Sequence, residues 1–575
     1  MIALILSWIC IGWLSLVLGV AVLRGLRSLI GRAEDESLSI APDYILLFGF
    51  AISTFLVSLT SLVYRINWEV NVLFLLFGIF LHFRHRNSIE DILLELQKGW
   101  QHAHLWLKLS FGMVILVALS ATIIEVAETD TWFYHAQSMQ WIKEFGVVPG
   151  LGNVHGRFAF NSNYFVISSF YAFWFSPDQV LFPLGSFFFI LLSFRLLVNL
   201  EEARAAGDHR WLVVYGLLML LFSYQSILLL SSTSTDLISC ILIIYIFLLF
   251  FDTYQQKERD YEELILWSMV ALSVTFKLSS LIIVVMLLPT LPRVFKTRRF
   301  IPLAGIAILI GLPFIARNII LSGYILYPFP DIDVLTVDWK IPIEEVKFEK
   351  DLVEGWAKQP YGSSGMEKFE DILSILEYSF TDWIKVWWPA QSLKWKFFML
   401  LSLLHIPLIF FSWIRKEYRY TVVFAALALN LLFWFDQAPQ PRFAYGFLFF
   451  GAALILGYLG SPIIRWIRPK KSIFIVLLLA LPALFVIREE IVFTNADLSV
   501  VFLPKYETEI KTQEFAAHNF TLNIPSEEPP ASIYWCYNSP LPCTPLPKEN
   551  LEMRGDTYKH GFRIRNNTKT ISRTE

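Results

Sequence analysis

Charge is scarce in this sequence, and so is cysteine. Asp, Glu, Lys and Arg make up 17% of the 575 residues, and 47 basic side chains nearly cancel 49 acidic ones. A net charge of −2 leaves no basic excess of the kind that nucleic-acid binding requires, so nucleic acid is excluded as a partner. Four cysteines are too few for a disulfide scaffold. Cys10 and Cys240 lie inside apolar runs, as small buried hydrophobes do. Cys536 and Cys543, in the polar stretch "CYNSPLPC", can form a disulfide if that segment faces an oxidising compartment. There is no P-loop, zinc-ligand spacing or nucleophile elbow. Internal repeats and low-complexity segments are also lacking.

What the sequence does have is apolar surface. It is 56% hydrophobic and 16% aromatic, with a mean hydropathy of +0.55, against about 45–50% apolar residues for soluble globular chains. Runs long enough, or nearly so, to cross a bilayer occur at about 1–23, 43–64, 69–84, 107–125, 178–200, 211–230, 237–252, 261–275, 278–292, 300–316, 397–413, 419–435, 443–460 and 472–488. These predict an all-α polytopic membrane protein with about 14 transmembrane helices. The opening "MIALILSWICIGWLSLVLGVAVLRGLR" has its arginines after the apolar run. That flank predicts a retained span with its N-terminus outside rather than a signal peptide.

With that start, nearly every Lys/Arg cluster, including "HFRHRNSIEDILLELQKGWQHAHLWLK" and "RWIRPKK", falls on the cytoplasmic side. Both termini are then extracytoplasmic. The expected organisation is an N-terminal group of spans with a cytoplasmic loop (1–106), a core of spans carrying the first outer loop (107–316, loop 126–177), a large outer loop (317–396), further spans (397–488) and an outer C-terminal segment (489–575) of small α+β or irregular structure. Outer connections this long usually carry function.

The first outer loop opens on "EVAETDTWFYHAQSMQWIKEFGVVPG". Acids at a span's end are tolerated more readily than acids at its centre, and Glu125, Glu128 and Asp130 could be ordinary solvated residues, Asp130 capping a helix. If the chain is extended there, Glu128 and Asp130 project to the same side. Such a pair suits a general base with its partner, or a divalent cation, magnesium or manganese. The helix that follows should stop at Gly146 and places Trp132, His135, Met139 and Ile142 on one face, the pattern of a helix lying in the membrane interface. "NYFVISSFYAFWF" is too short for a confident span and reads as a second interfacial or re-entrant helix.

This acidic Glu128-Thr129-Asp130 motif at the outer end of a span, followed by amphipathic helices and many further spans with long outer loops, resembles the GT-C superfamily of polyprenyl-phosphate-dependent glycosyltransferases. The likeness covers about residues 107–490 and departs from the usual arrangement in its additional spans before the motif. The resemblance implies an inverting transfer of a sugar from a polyprenyl phosphate or diphosphate to a glycan, lipid or protein acceptor. It also implies Asp130 as base, with Glu128 as its partner or a metal ligand. A bacterial inner-membrane location suits such chemistry.

A lipid phosphate needs cations on the outer side. The candidates there are Lys277 in "TFKLSS", Arg317 in "PFIARN" and Arg442 in "DQAPQPRFAYG". Snorkelling to headgroups is the alternative for each. Arg442 stands out because Pro439 and Pro441 stiffen its backbone and Asp436 offers a local partner. His135 is a further candidate for phosphate or metal, Asp236 a second acid, and His155 and Arg157 could approach the acceptor. A transporter or flippase of lipid-linked glycans would need polar groups deep within the spans. A polysaccharide polymerase or ligase would lean more on arginines, and a scaffold would need none of these residues in particular.

Overall fold

The structure is a computed structural model describing residues 1–26, 38, 40–124, 126, 128–172, 181–254, 260–359, 369–467, 510–526 and 535–565. Among these residues, eleven helices are long and apolar enough to cross a membrane, from Ile2–Gly25 to Pro441–Gly460. Two more of the expected runs form the 17-residue helices Trp68–Arg84 and Asp260–Phe276. The remaining run, 472–488, lies outside the described residues, as does Glu125. The protein is mostly helical and is a multi-pass integral membrane protein.

Leu-, Ile-, Val- and Phe-rich runs become helices because hydrocarbon offers the backbone no partner other than itself. Local signals set their ends. Asn67 and Asp208 accept hydrogen bonds from the first helical N–H groups of Trp68–Arg84 and His209–Ser226, and prolines begin Pro42–Ser61 and Pro183–Ala206. The helices Ile2–Gly25 and Pro42–Ser61 touch backbone to backbone. A Cβ on Gly49 would lie 1.7 Å from the Ser15 carbonyl oxygen, so only glycine permits this crossing.

Position in the bundle separates the spans. Helix Thr235–Tyr254 is enclosed, and every residue from Leu237 to Leu249 is buried. Helix Trp68–Arg84 buries only Val70, Phe74 and Gly78 and leaves Leu73, Phe77 and Phe80 exposed for lipid. Where Thr235–Tyr254 ends, the Arg195 guanidinium makes a two-pronged contact with Asp43 and stacks over the Tyr44 ring. The Tyr44 hydroxyl donates to Asp252 at 2.5 Å. Tyr44, Arg195 and Asp252 wall a polar cavity of about 450 Å³.

The loop that follows Leu105–Thr122 departs from its expected membrane-surface form. Trp132, His135, Met139 and Ile142 are all buried, none more than 5% exposed, so this face packs on protein rather than lipid. The helix Ala136–Phe145 does stop at Gly146, whose φ is +78°. A Cβ there would also meet the Tyr64 carbonyl oxygen at 2.6 Å. Helix Asn163–Tyr171 has nine residues, about 14 Å of rise, too short to cross, and all nine are buried. It packs against Ala136–Phe145 and Pro42–Ser61.

The described part of the C-terminal segment forms two small antiparallel hairpins, β1 Thr512–Ala516 with β2 Thr521–Pro525 and β3 Leu551–Met553 with β4 Phe562–Ile564. These described residues form strands, irregular connections and a 3-10 turn, with no α-helix among them. Cys536 and Cys543 form the expected disulfide. The segment is fastened over the loops that follow Leu105–Thr122 and Phe300–Ser322: Phe562 N–H donates to the Pro149 carbonyl at 2.9 Å, Lys548 to Glu345 at 2.6 Å, and Arg554 to Asp338 through two 2.9 Å bonds.

Candidate functional site: a charged cavity at one end of the spans

Four sequence positions far apart converge because each lies at the same end of its span. Asp130 lies beyond the end of Leu105–Thr122, Asp236 is in the first turn of Thr235–Tyr254, Lys277 follows Asp260–Phe276, and Arg442 begins Pro441–Gly460. Together with Arg157 they line a cavity of about 260 Å³. Its apolar walls include Phe160, Phe165, Phe276, Trp434 and Phe443. Tyr134, one of the aromatics that follow the acidic motif, also lines it, as do Asn161 and Lys350, for which the sequence offered no distinguishing signal.

Arg442 holds the centre. Its Nη1 donates to Asp130 Oδ2 at 2.8 Å, and its Nε lies 3.8 Å from Asp236 Oδ2. Lys277 Nζ donates to the other Asp236 oxygen and sits 4.4 Å above the Phe443 ring. The local partner expected for Arg442, Asp436, instead accepts from Gln437 at 2.7 Å. Pro439 and Pro441 both precede Arg442, and Pro441 opens the short 3-10 turn that carries it.

The Glu128–Asp130 pair does not project to one side. The backbone at Asp130 is helical, φ −65° and ψ −30°, so the extended geometry that would align the two carboxylates is absent. Asp130 reaches the cavity, while Glu128 turns into the protein and is 8% exposed. Glu128 accepts from the Thr131 hydroxyl at 2.6 Å and lies 3.6 Å from His135 Nδ1. Thr131 also contacts the Thr233 hydroxyl at 3.2 Å, tying this turn to the one preceding Asp236. Neither Glu128 nor His135 lines the cavity.

Burial alone would raise both carboxyl groups. For Asp130 this is outweighed by Arg442 first, then His135, Arg157 and Lys277, which hold it down at about 2. For Glu128 it is outweighed by the neighbouring His135, helped by the Thr131 hydroxyl, so it too lies below its ordinary range. A carboxylate held at about 2 is ionised at neutral pH but is a weak proton acceptor while its partner remains.

Residues Thr131–His135 form a single π-helical turn before Ala136–Phe145, a distortion that often marks functional segments. The C-terminal segment grips this turn. Tyr537 N–H donates to the Trp132 carbonyl at 2.9 Å, and its ring lies 4.2 Å from that of Trp132. The Gln137 amide donates to the Tyr537 and Ser539 carbonyls at 3.2 and 2.8 Å.

The remaining candidates divide. Arg157 faces the cavity, paired with Glu349 at 3.1 Å. His155 does not line it. Its Nδ1 accepts from the Arg157 N–H at 3.1 Å, capping the short turn that carries Arg157. Burial, then Arg157 and Lys548, push His155 down to about 3, so it is neutral and unsuited to binding an anion. Arg317 is also displaced from its expected role. It is buried, donating to the Ser61 hydroxyl at 2.8 Å and to Asn161 Oδ1 at 3.3 Å. It thereby ties a loop residue of the cavity wall to helix Pro42–Ser61.

Among the described residues no three His, Cys, Asp or Glu side chains gather as metal ligands would. Asp130 and Asp236 each already have a protein cation, and Glu128 faces elsewhere. The residues present therefore do not fit a divalent cation.

Fold and site define a helical multi-pass membrane protein with a cation-bridged pair of aspartates in an aromatic cavity at one end of its spans. The chain belongs to the family described as Domain of unknown function (DUF8201), whose model matches residues 1–449. That match includes Asp130, Asp236, Lys277 and Arg442, and ends before the C-terminal segment. Neither a curated protein nor a solved structure matches the chain.

Proposed function

We propose that the protein is a membrane glycosyltransferase that moves a sugar from a polyprenyl phosphate or diphosphate to a glycan, lipid or protein acceptor on the extracytoplasmic face, in the manner of the GT-C superfamily. The observation that carries this reading is Asp130 in a cavity that combines Arg442 and Lys277 with aromatic walls. Attack on an anomeric carbon needs a proton acceptor beside the nucleophile and positive charge beside the departing phosphate. In this reading an acceptor hydroxyl gives its proton to Asp130 and its oxygen bonds to the anomeric carbon. The carbon–oxygen bond to phosphate breaks with its electron pair on the phosphate, which Arg442 and Lys277 receive. The aromatic walls suit a sugar face or the first isoprene units.

The decisive experiment uses purified protein and a panel of polyprenyl-phosphate-linked sugars, measuring released polyprenyl phosphate. Wild type should turn over at least one donor, and Asp130→Asn should lose roughly 10²–10⁴-fold, the usual contribution of a general base. Undiminished turnover in Asp130→Asn would remove it as base and move the search to Asp236. Because Arg442 and Lys277 supply the positive charge, chelation with EDTA should leave the rate unchanged. Loss of activity restored by magnesium or manganese would assign that charge to a metal.

A transporter or flippase of lipid-linked glycans is the second reading, favoured by the polar cavity around Asp252 at the opposite end of Thr235–Tyr254 from Asp236. The two aspartates are about 24 Å apart along that helix, and the residues between Leu237 and Leu249 are buried and mostly apolar. Movement of intact donor across a vesicle membrane without release of polyprenyl phosphate would favour it over transfer. Chain-length growth of a lipid-linked glycan in the same assay would indicate a polymerase.

A further inference from the structure

The ion pair in the cavity joins two groups that the proposed reaction needs apart. Arg442 is the cation reaching both acids, and its Nε, buried and 3.8 Å from Asp236, has no hydrogen-bond partner. Asp236 is neutralised independently by Lys277. Asp130, by contrast, is held to Arg442 by a single 2.8 Å bond. The two side chains are 21% and 32% exposed, so the pair borders the cavity and an incoming ligand can reach it.

A guanidinium binds carboxylate and phosphate oxygens with the same donors and geometry. The Asp130 carboxylate therefore stands where a phosphate oxygen would bind. It occupies the Nη1 donor of Arg442 and is itself neutralised by the guanidinium, which makes it a poor proton acceptor. Exchange is electrostatically feasible because Asp236 keeps Lys277, and Arg157 also lines the cavity near the released carboxylate.

We propose that Asp130 is a built-in competitor for the phosphate of the ligand, and that the Asp130–Arg442 pair is a latch that opens when a phosphate oxygen displaces the carboxylate from Arg442. This rests on the reading that the ligand carries a phosphate. No covalent bond changes in the exchange. One salt bridge is replaced by another, and Asp130 becomes free in the same event that positions the leaving group. Without donor, the base stays masked.

The latch makes an uncommon demand: removing an acid that the reaction needs should improve binding. The test measures the affinity of farnesyl phosphate by isothermal titration calorimetry on the full-length protein in neutral detergent, with farnesol as the uncharged control. Asp130→Asn should bind farnesyl phosphate roughly tenfold more tightly than wild type, while Arg442→Gln should bind it roughly tenfold more weakly, as expected when one close charge contact is gained or lost. Farnesol should bind all three alike. Equal or weaker binding by Asp130→Asn overturns the latch, as does failure of every variant to bind farnesyl phosphate. Should Asp130→Asn not fold, Asp130→Ser carries the same expectation.

The donor-release assay separates this proposal from the transferase reading. Tighter binding by Asp130→Asn with no turnover by wild type would leave the latch standing and remove the transferase. Turnover by wild type with unchanged affinity in Asp130→Asn would do the reverse.

Discussion

At the residue scale, the candidate site depends on which charged side chains find a partner. Asp130, Asp236, Lys277 and Arg442 neutralise one another in the cavity, whereas His155 is kept neutral by burial. The histidine has a measurable consequence. Its folded value is depressed to about 3 from an ordinary 6.5, so the unfolded chain takes up a proton that the folded one refuses between those limits. His155 therefore weakens stability as pH falls below 6.5, by about 1.4 kcal/mol per pH unit at most, until the folded group itself protonates near 3. His155→Gln should flatten the pH dependence of unfolding in detergent across this window and leave stability at pH 8 little changed. A pH profile as steep as that of wild type would mean that another group carries the acid sensitivity.

At the element scale, buried pairs and close helix crossings should dominate. Asp43 and Arg195 are 9% and 12% exposed, and Asp43→Ala would leave the guanidinium without its directly bonded counter-charge. Losing one partner of a buried pair costs about 3–5 kcal/mol, which chemical denaturation in detergent can register. Removing Glu69 from its half-exposed pair with Arg65 should move the denaturation midpoint much less. Gly49→Ala should push Ile2–Gly25 away from Pro42–Ser61, since the added carbon would overlap the Ser15 carbonyl. Overpacking of this kind costs about 1–3 kcal/mol. Equal stability of Gly49→Ala and wild type would mean that the two helices can separate freely.

At the scale of the whole molecule, the C-terminal segment is part of the site's support although the family match ends at residue 449. Trp132, two residues beyond Asp130, is held by Tyr537, and Gln137 by the backbone carbonyls of Tyr537 and Ser539. The Cys536–Cys543 disulfide closes a short loop, which limits its stabilisation to about 2–3 kcal/mol on chain-entropy grounds. Replacing both cysteines by serine should therefore raise hydrogen exchange in 131–137 while leaving helix Thr235–Tyr254 protected. Unchanged exchange in that turn would show that Glu128, Thr131 and Thr233 hold it without help.

The spans, the stop at Gly146 and the disulfide were legible from the amino-acid order, because apolar runs, a left-handed glycine and paired cysteines are local signals. The charges that line the cavity were legible as candidates, since a cation or acid at the end of an apolar run stands out against hydrocarbon. Their pairing was not, because Asp130 and Arg442 are 312 positions apart and only the packing of their spans brings them together. The same packing turned Glu128 inward through a helical backbone at Asp130. It buried the face of Trp132 and His135 that periodicity alone assigned to lipid, and drew Arg317 away from the cavity to Ser61. Sequence determined which segments leave water and where charge remains at their ends; tertiary structure decided which charges meet, because that choice is set by contacts between helices that no single segment contains.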